Sequence, residues 1–123
     1  MADQALMESY YATYNSEDAD ALRRFYADDV VLVSAQGELR GVDAIIETYR
    51  FLTGQFHDRM TPQSIELDGD TAVVRILDVF TAKTDVPDFM GVALKKGESF
   101  ELNLRGTYRI VGGRFKHILI EQL

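Results

Sequence analysis

The apolar residues of this chain keep a helical period up to about residue 55 and a strand period after it. Leu6, Tyr10 and Tyr14 recur every four residues, with Met7 and Tyr11 beside them. That stripe predicts a helix over residues 3–15. Asn15-Ser16 ends it, and Ser16 reads as the N-cap of a short second helix, with Glu17 and Asp18 suited to its positive end. This helix is expected to bury Leu22, Phe25 and Tyr26. Ala27-Asp28-Asp29 interrupts the pattern, residues 30–33 form a short β-prone run, and Gln36-Gly37 reads as a turn. Gly41 precedes a third helix that carries Val42, Ile45, Ile46, Tyr49 and Leu52 at helical spacing, and Gly54 is its expected stop.

From there the spacing predicts strands over residues 59–67, 71–83, 98–111 and 114–122. Asp68-Gly69-Asp70 and Gly112-Gly113 are the tight turns, and residues 84–97 are a loop. Helices first and a hairpin-linked meander afterwards predict an α+β fold, with three N-terminal helices packed on a curved, mostly antiparallel sheet. In the strand over 98–111, Phe100, Leu102, Leu104, Tyr108 and Ile110 share one face. In the strand over 71–83 both faces are apolar: Ala72, Val74, Ile76 and Phe80 on one, Val73, Leu77 and Val79 on the other. A strand apolar on both sides is usually covered on both, which points to a homodimer.

A length of 123 residues fits one domain, residues 1–123, and is enough to build a core unaided. A net charge of −7 and no basic cluster argue against nucleic acid and against an anionic membrane surface. The absence of cysteine excludes a disulfide framework and thiolate metal sites. The acidic start has no signal-peptide pattern, and no apolar run approaches the roughly 18 residues of a membrane span, so a cytoplasmic protein is the expectation.

The order of elements then resembles a known family. Tyr26-Ala27-Asp28-Asp29-Val30-Val31, Gly41 opening a third helix, Phe89-Met90-Gly91-Val92 before an alternating strand, and Tyr108-Arg109-Ile110-Val111-Gly112-Gly113-Arg114-Phe115 as a closing hairpin are similar to the nuclear transport factor 2-like superfamily, in its SnoaL-like and ketosteroid-isomerase-like branch. The resemblance covers nearly the whole chain. It implies a cone-shaped fold with an apolar pocket between helices and sheet, usually in a dimer. Relatives include ketosteroid isomerases, polyketide cyclases, dehydratases, epoxide hydrolases and non-catalytic binding domains, so the fold does not settle the function.

Ketosteroid isomerases need a carboxylate base and an oxyanion hole made of a Tyr and a protonated Asp. By resemblance the oxyanion tyrosine falls on Tyr10 and two supporting tyrosines on Tyr26 and Tyr49. The base falls on Ser34 and the protonated Asp on Gly106, neither of which can do that work, so steroid isomerase chemistry is not expected. Asp78 is the replacement candidate. It shares the face of Val74, Ile76 and Phe80, where desolvation raises the pKa of a carboxyl toward the range useful to a general acid or base. A one-residue bulge would instead turn it outward toward Arg75 or Arg105. Arg75 and Asp78 are three apart, hence on opposite faces, which argues against the Arg–Asp pair of the family's epoxide hydrolases.

The expected catalytic residues are therefore Asp78 and Tyr10, with Tyr14, Tyr26, Tyr49, Ile76, Phe80, Met90 and Tyr108 against the ligand. Phe89, Met90 and Val92 would form a lid or dimer contacts, and His57 or His117 could pair with Asp78. No residues have metal-ligand spacing, and no metal or cofactor is expected. The chemistry implied is isomerisation, cyclisation or dehydration of a small apolar molecule. The alternatives are a ligand-binding module without catalysis and a dimerisation domain with a filled interior.

Overall fold

A computed structural model describes residues 2–123. Helix α1 spans Gln4–Asn15, α2 Ala19–Arg23 and α3 Val42–Gln55. The strands are β1 Tyr26–Ser34, β2 Gly37–Arg40, β3 Phe56–Asp68, β4 Thr71–Ala82, β5 Val86–Phe89, β6 Val92–Leu94, β7 Ser99–Val111 and β8 Arg114–Gln122. Six strands form one sheet in the order β2-β1-β8-β7-β4-β3, antiparallel except for the β1–β8 pair. Register shifts in β1, β3 and the β7–β8 ladder bend these long strands. The sheet curves around the helices in the α+β arrangement that the residue pattern predicted and the cone that the resemblance implied.

The caps differ from expectation in one place. Asp3 caps α1, accepting a hydrogen bond from the Leu6 amide at 2.7 Å. Ser16 closes α1 rather than opening α2: its hydroxyl donates to the Thr13 carbonyl at 2.6 Å. Asp18 caps α2 through the Ala21 amide at 3.1 Å. Glu17, between them, takes a left-handed conformation with φ of 62°. The second helix is also shorter than the pattern suggested, so Phe25 follows it and Tyr26 opens β1.

Two boundaries move as well. Gly54 lies inside α3, and the helix passes into β3 at Phe56, three residues before the predicted start. The predicted loop over 84–97 carries the β5–β6 hairpin, turned at Met90 and Gly91 with φ of 54° and 82°.

The core lies between the helices and the inner face of the sheet. Met7, Tyr10, Tyr11 and Tyr14 from α1, and Ile45, Ile46 and Tyr49 from α3, meet Ala72, Val74, Ile76, Leu104, Tyr108, Ile110 and Phe115. β3 is an edge strand whose free backbone groups need partners. Asn15 supplies them, accepting from the Met60 amide at 2.7 Å and donating to the Met60 carbonyl at 2.8 Å. This clamp fixes the end of α1 on β3 beside the interior groups described next.

Candidate functional site

The helices do not fill the cone. A cavity of about 350 Å³ remains between α1, α3 and the inner face of the sheet, lined mainly by apolar and aromatic side chains. Phe89 and Met90 from the β5–β6 hairpin stand at its edge, and Ser34, Gln36 and Glu38 of the β1–β2 hairpin form a polar rim.

Two carboxyl groups face this space. In the β3–β4 register Asp78 lies opposite Met60, and Asp58 lies opposite Phe80. Both are therefore on the inner face as diagonal neighbours, close enough to interact. Asp58 is 3% exposed and Asp78 1%. Tyr14 donates to Asp58 Oδ2 at 2.7 Å. Oδ1 of each carboxyl is buried without a hydrogen-bond partner among the described residues. Burial raises the pKa of Asp78 far above the carboxylate range, and the neighbouring Asp58 raises it further. Burial raises Asp58 as well, against hydrogen bonds from Asp78 and Tyr14 that favour its anion. Two buried like charges on neighbouring positions cannot both ionise readily, so the pair holds on to a proton well above the ordinary carboxylate range.

The second polar feature is a group of tyrosines. The Tyr10 and Tyr26 hydroxyls lie 2.8 Å apart, and the Tyr11 hydroxyl donates to that of Tyr108 at 2.9 Å. Tyr10 also interacts with the Tyr108 hydroxyl, so the four tyrosines form one hydroxyl cluster at the cavity wall. Burial pushes Tyr10 well above its ordinary pKa and Tyr108 up to about 12, so both stay protonated donors at neutral pH. Tyr49 donates to the Tyr14 carbonyl at 2.5 Å and holds that helix end in place.

Of the residues singled out in the sequence, Asp78, Tyr10, Tyr14, Tyr26, Tyr49, Phe80, Met90 and Tyr108 all line the cavity. Ile76 does not. It is fully buried in the core one inward position nearer the β3–β4 turn than Asp78. Val92, in β6 of the hairpin, packs against the core and is not part of the wall. Neither histidine pairs with Asp78. His57 faces outward and meets Glu17 at 2.9 Å, and His117 is exposed on β8. Arg75 is exposed on the outer face of β4, opposite Asp78, and β4 carries no bulge that would bring them together.

Gly106 also gains a physical reason. A Cβ there would come within 2.7 Å of the Tyr108 ring, so the tyrosine leans back across the space that a side chain at 106 would occupy. The residue that sequence reasoning missed is Asp58. Its signal was the alternation Phe56, Asp58, Met60, which is visible only if the strand starts at Phe56.

Comparison with known proteins fits this geometry. The profile of the SnoaL-like domain matches residues 7–118. An epoxide hydrolase of the LEH-like type from M. tuberculosis superposes with a TM-score of 0.78 at 15% identity, over 97% of this chain and 80% of that one. IdmH, a proposed polyketide cyclase from Streptomyces antibioticus, gives 0.77 at 23% identity, over 96% and 89%. A protein with a ketosteroid isomerase-like fold from Catenulispora acidiphila, solved in complex with trimethylamine, gives 0.78 at 14% identity, over 97% and 85%. At these identities the likeness shows the fold alone. A segment of the RNA-directed RNA polymerase L of lymphocytic choriomeningitis virus (strain Armstrong) is 30% identical over 103 residues, 82% of this chain. The chain spans only 5% of that protein's length, so no polymerase activity transfers to it. No helix among the described residues is long and apolar enough to cross a membrane. The match over residues 7–118, on a cone of three helices packed against a curved sheet, establishes that this chain belongs to the SnoaL-like domain family.

Proposed function

We propose that this SnoaL-like chain is a cofactor-independent acid–base enzyme that isomerises, cyclises or dehydrates a small, largely apolar, ring-bearing molecule. The observation that carries the reading is the Asp58–Asp78 pair, two buried carboxyls on neighbouring inner-face positions, each with an unpartnered oxygen, in the wall of an apolar cavity. Such a pair gives a proton from one oxygen and accepts one on another without a metal or redox partner. Asp78 moves the proton, while Asp58, steadied by Tyr14, holds the negative charge. A hydroxyl of the Tyr10–Tyr26 pair turns to donate to the oxygen on which charge develops. Met90 and Phe89 close the cavity edge over the ligand. Val73, Leu77 and Val79 are half-buried on the outer face of β4, which supports pairing of two copies across that face.

Hydrogen exchange tests this without knowledge of the natural substrate. Cyclic ketones incubated with the protein in heavy water should take up deuterium beside the carbonyl, followed by NMR. Asp78→Asn should abolish the uptake while the circular dichroism spectrum stays unchanged. Uptake at the same rate in that variant would remove Asp78 from the mechanism. A second reading, a binding module without catalysis, is supported by Ser34 and Gly106 at the positions where isomerases of this superfamily hold their acids. It predicts a ligand that binds and leaves unchanged, with no deuterium uptake.

A further inference from the structure

The charges around the cavity are all of one sign. Asp58, Asp78 and Glu38 line it, and no Lys, Arg or His does among the described residues. The whole chain adds a net charge of −7, so the surrounding field also favours cations. An anionic ligand would find no counter-charge inside.

Hydrogen bonding is equally one-sided. Among the described residues the Tyr14 hydroxyl is the one side-chain donor bonded to the carboxyl pair, and Oδ1 of each carboxyl is left without a partner. Ionised carboxyls are acceptors only, so what the site lacks is donors, above all charged ones. The rings of Tyr10, Tyr14, Tyr49, Phe80 and Tyr108 surround the same space, and aromatic faces attract a desolvated cation. Among the described residues no group of three or more His, Cys, Asp or Glu is placed to hold a metal ion, so the cation that fits is organic.

From this we infer that the cavity is selective for ligands carrying a protonated amine on an apolar ring or cage, with the ammonium against the Asp58–Asp78 pair and the hydrocarbon against the aromatic wall. The ammonium brings the missing donors together with the charge that neutralises the pair. An alcohol of the same shape brings a donor without charge, and a carboxylic acid at neutral pH brings neither. The affinity order is therefore amine, then alcohol, then acid. The inference requires only that the cavity take a ligand, and it stands or falls separately from catalysis.

Three rigid probes that share one hydrocarbon cage test it: 1-adamantanemethylamine, 1-adamantanemethanol and 1-adamantanecarboxylate. Binding is read by isothermal titration calorimetry at neutral pH. The amine should bind at least tenfold more tightly than the alcohol, and the carboxylate should give no heat of binding. In the double variant Asp58→Asn/Asp78→Asn the amine should lose its advantage while the alcohol still binds, which also shows that the cavity has survived. Equal or tighter binding of the alcohol to the natural sequence, a preference that persists in the double variant, or no binding by any probe overturns the inference. If the double variant does not fold, the order measured on the natural sequence decides. Because these are binding measurements, their outcome is independent of the deuterium uptake that tests the catalytic reading.

Discussion

Replacing Asp78 by Asn should remove a large part of the pH dependence of this protein's stability. In the unfolded chain an aspartate releases its proton near pH 3.9. In the folded protein burial and the nearby Asp58 keep the pair's second proton bound well above that value. Over the window between, the folded state holds one proton that the unfolded state has lost. Stability from this source is complete below the unfolded value and falls as pH rises, by about 1.4 kcal/mol per pH unit. Between about pH 5 and about pH 7.5 the natural protein should thus lose roughly 3 kcal/mol that the variant keeps. Asparagine has the same shape, has no proton to release, and its amide can donate to Asp58 where the shared proton did. The Asn variant should therefore be the more stable protein at neutral pH, with the gap closing toward pH 5. Urea unfolding followed by circular dichroism across this range measures the difference directly. Surface groups titrate in both proteins and cancel in the comparison. Parallel stability curves for the two proteins would refute a shared buried proton, and with it the basis of the proposed chemistry.

Two further substitutions probe the surroundings. Tyr14→Phe takes the hydroxyl from Asp58 and should cost about 1.5–3 kcal/mol at neutral pH, less as acid protonates the carboxyl, by the same unfolding assay. Gly106→Ala places a methyl group 2.7 Å from the Tyr108 ring, so the ring must move and its bond with Tyr11 suffer; about 1–3 kcal/mol is expected, seen as a lower Tm.

Much of the fold was legible in the residue pattern. Tyr10, Tyr14 and Ile45 sit at helical spacing and Leu102, Leu104 and Tyr108 alternate because burial on one side of a regular element leaves no other arrangement. The same alternation put Asp78 on the inner face, and its period of two carried through because β4 has no bulge. The resemblance added the cone and the place of Tyr10 within it.

What the sequence left open were contacts between elements distant along the chain. Asp58 lies 20 positions from Asp78, and only the register of β3 on β4 makes them diagonal neighbours. That register depends on where β3 begins. Local propensity suggested Arg59, whereas the passage of α3 into the sheet and the Asn15 clamp on Met60 set it at Phe56. Ile76 looked equivalent to Asp78 and Phe80 along the strand, yet depth in the cone separates wall from core, and depth is not written in a period of two. The pKa of the carboxyl pair is likewise tertiary. Each aspartate alone on a solvated strand would be an ordinary acid, and desolvation by the helices, together with the other carboxyl, makes them hold a proton.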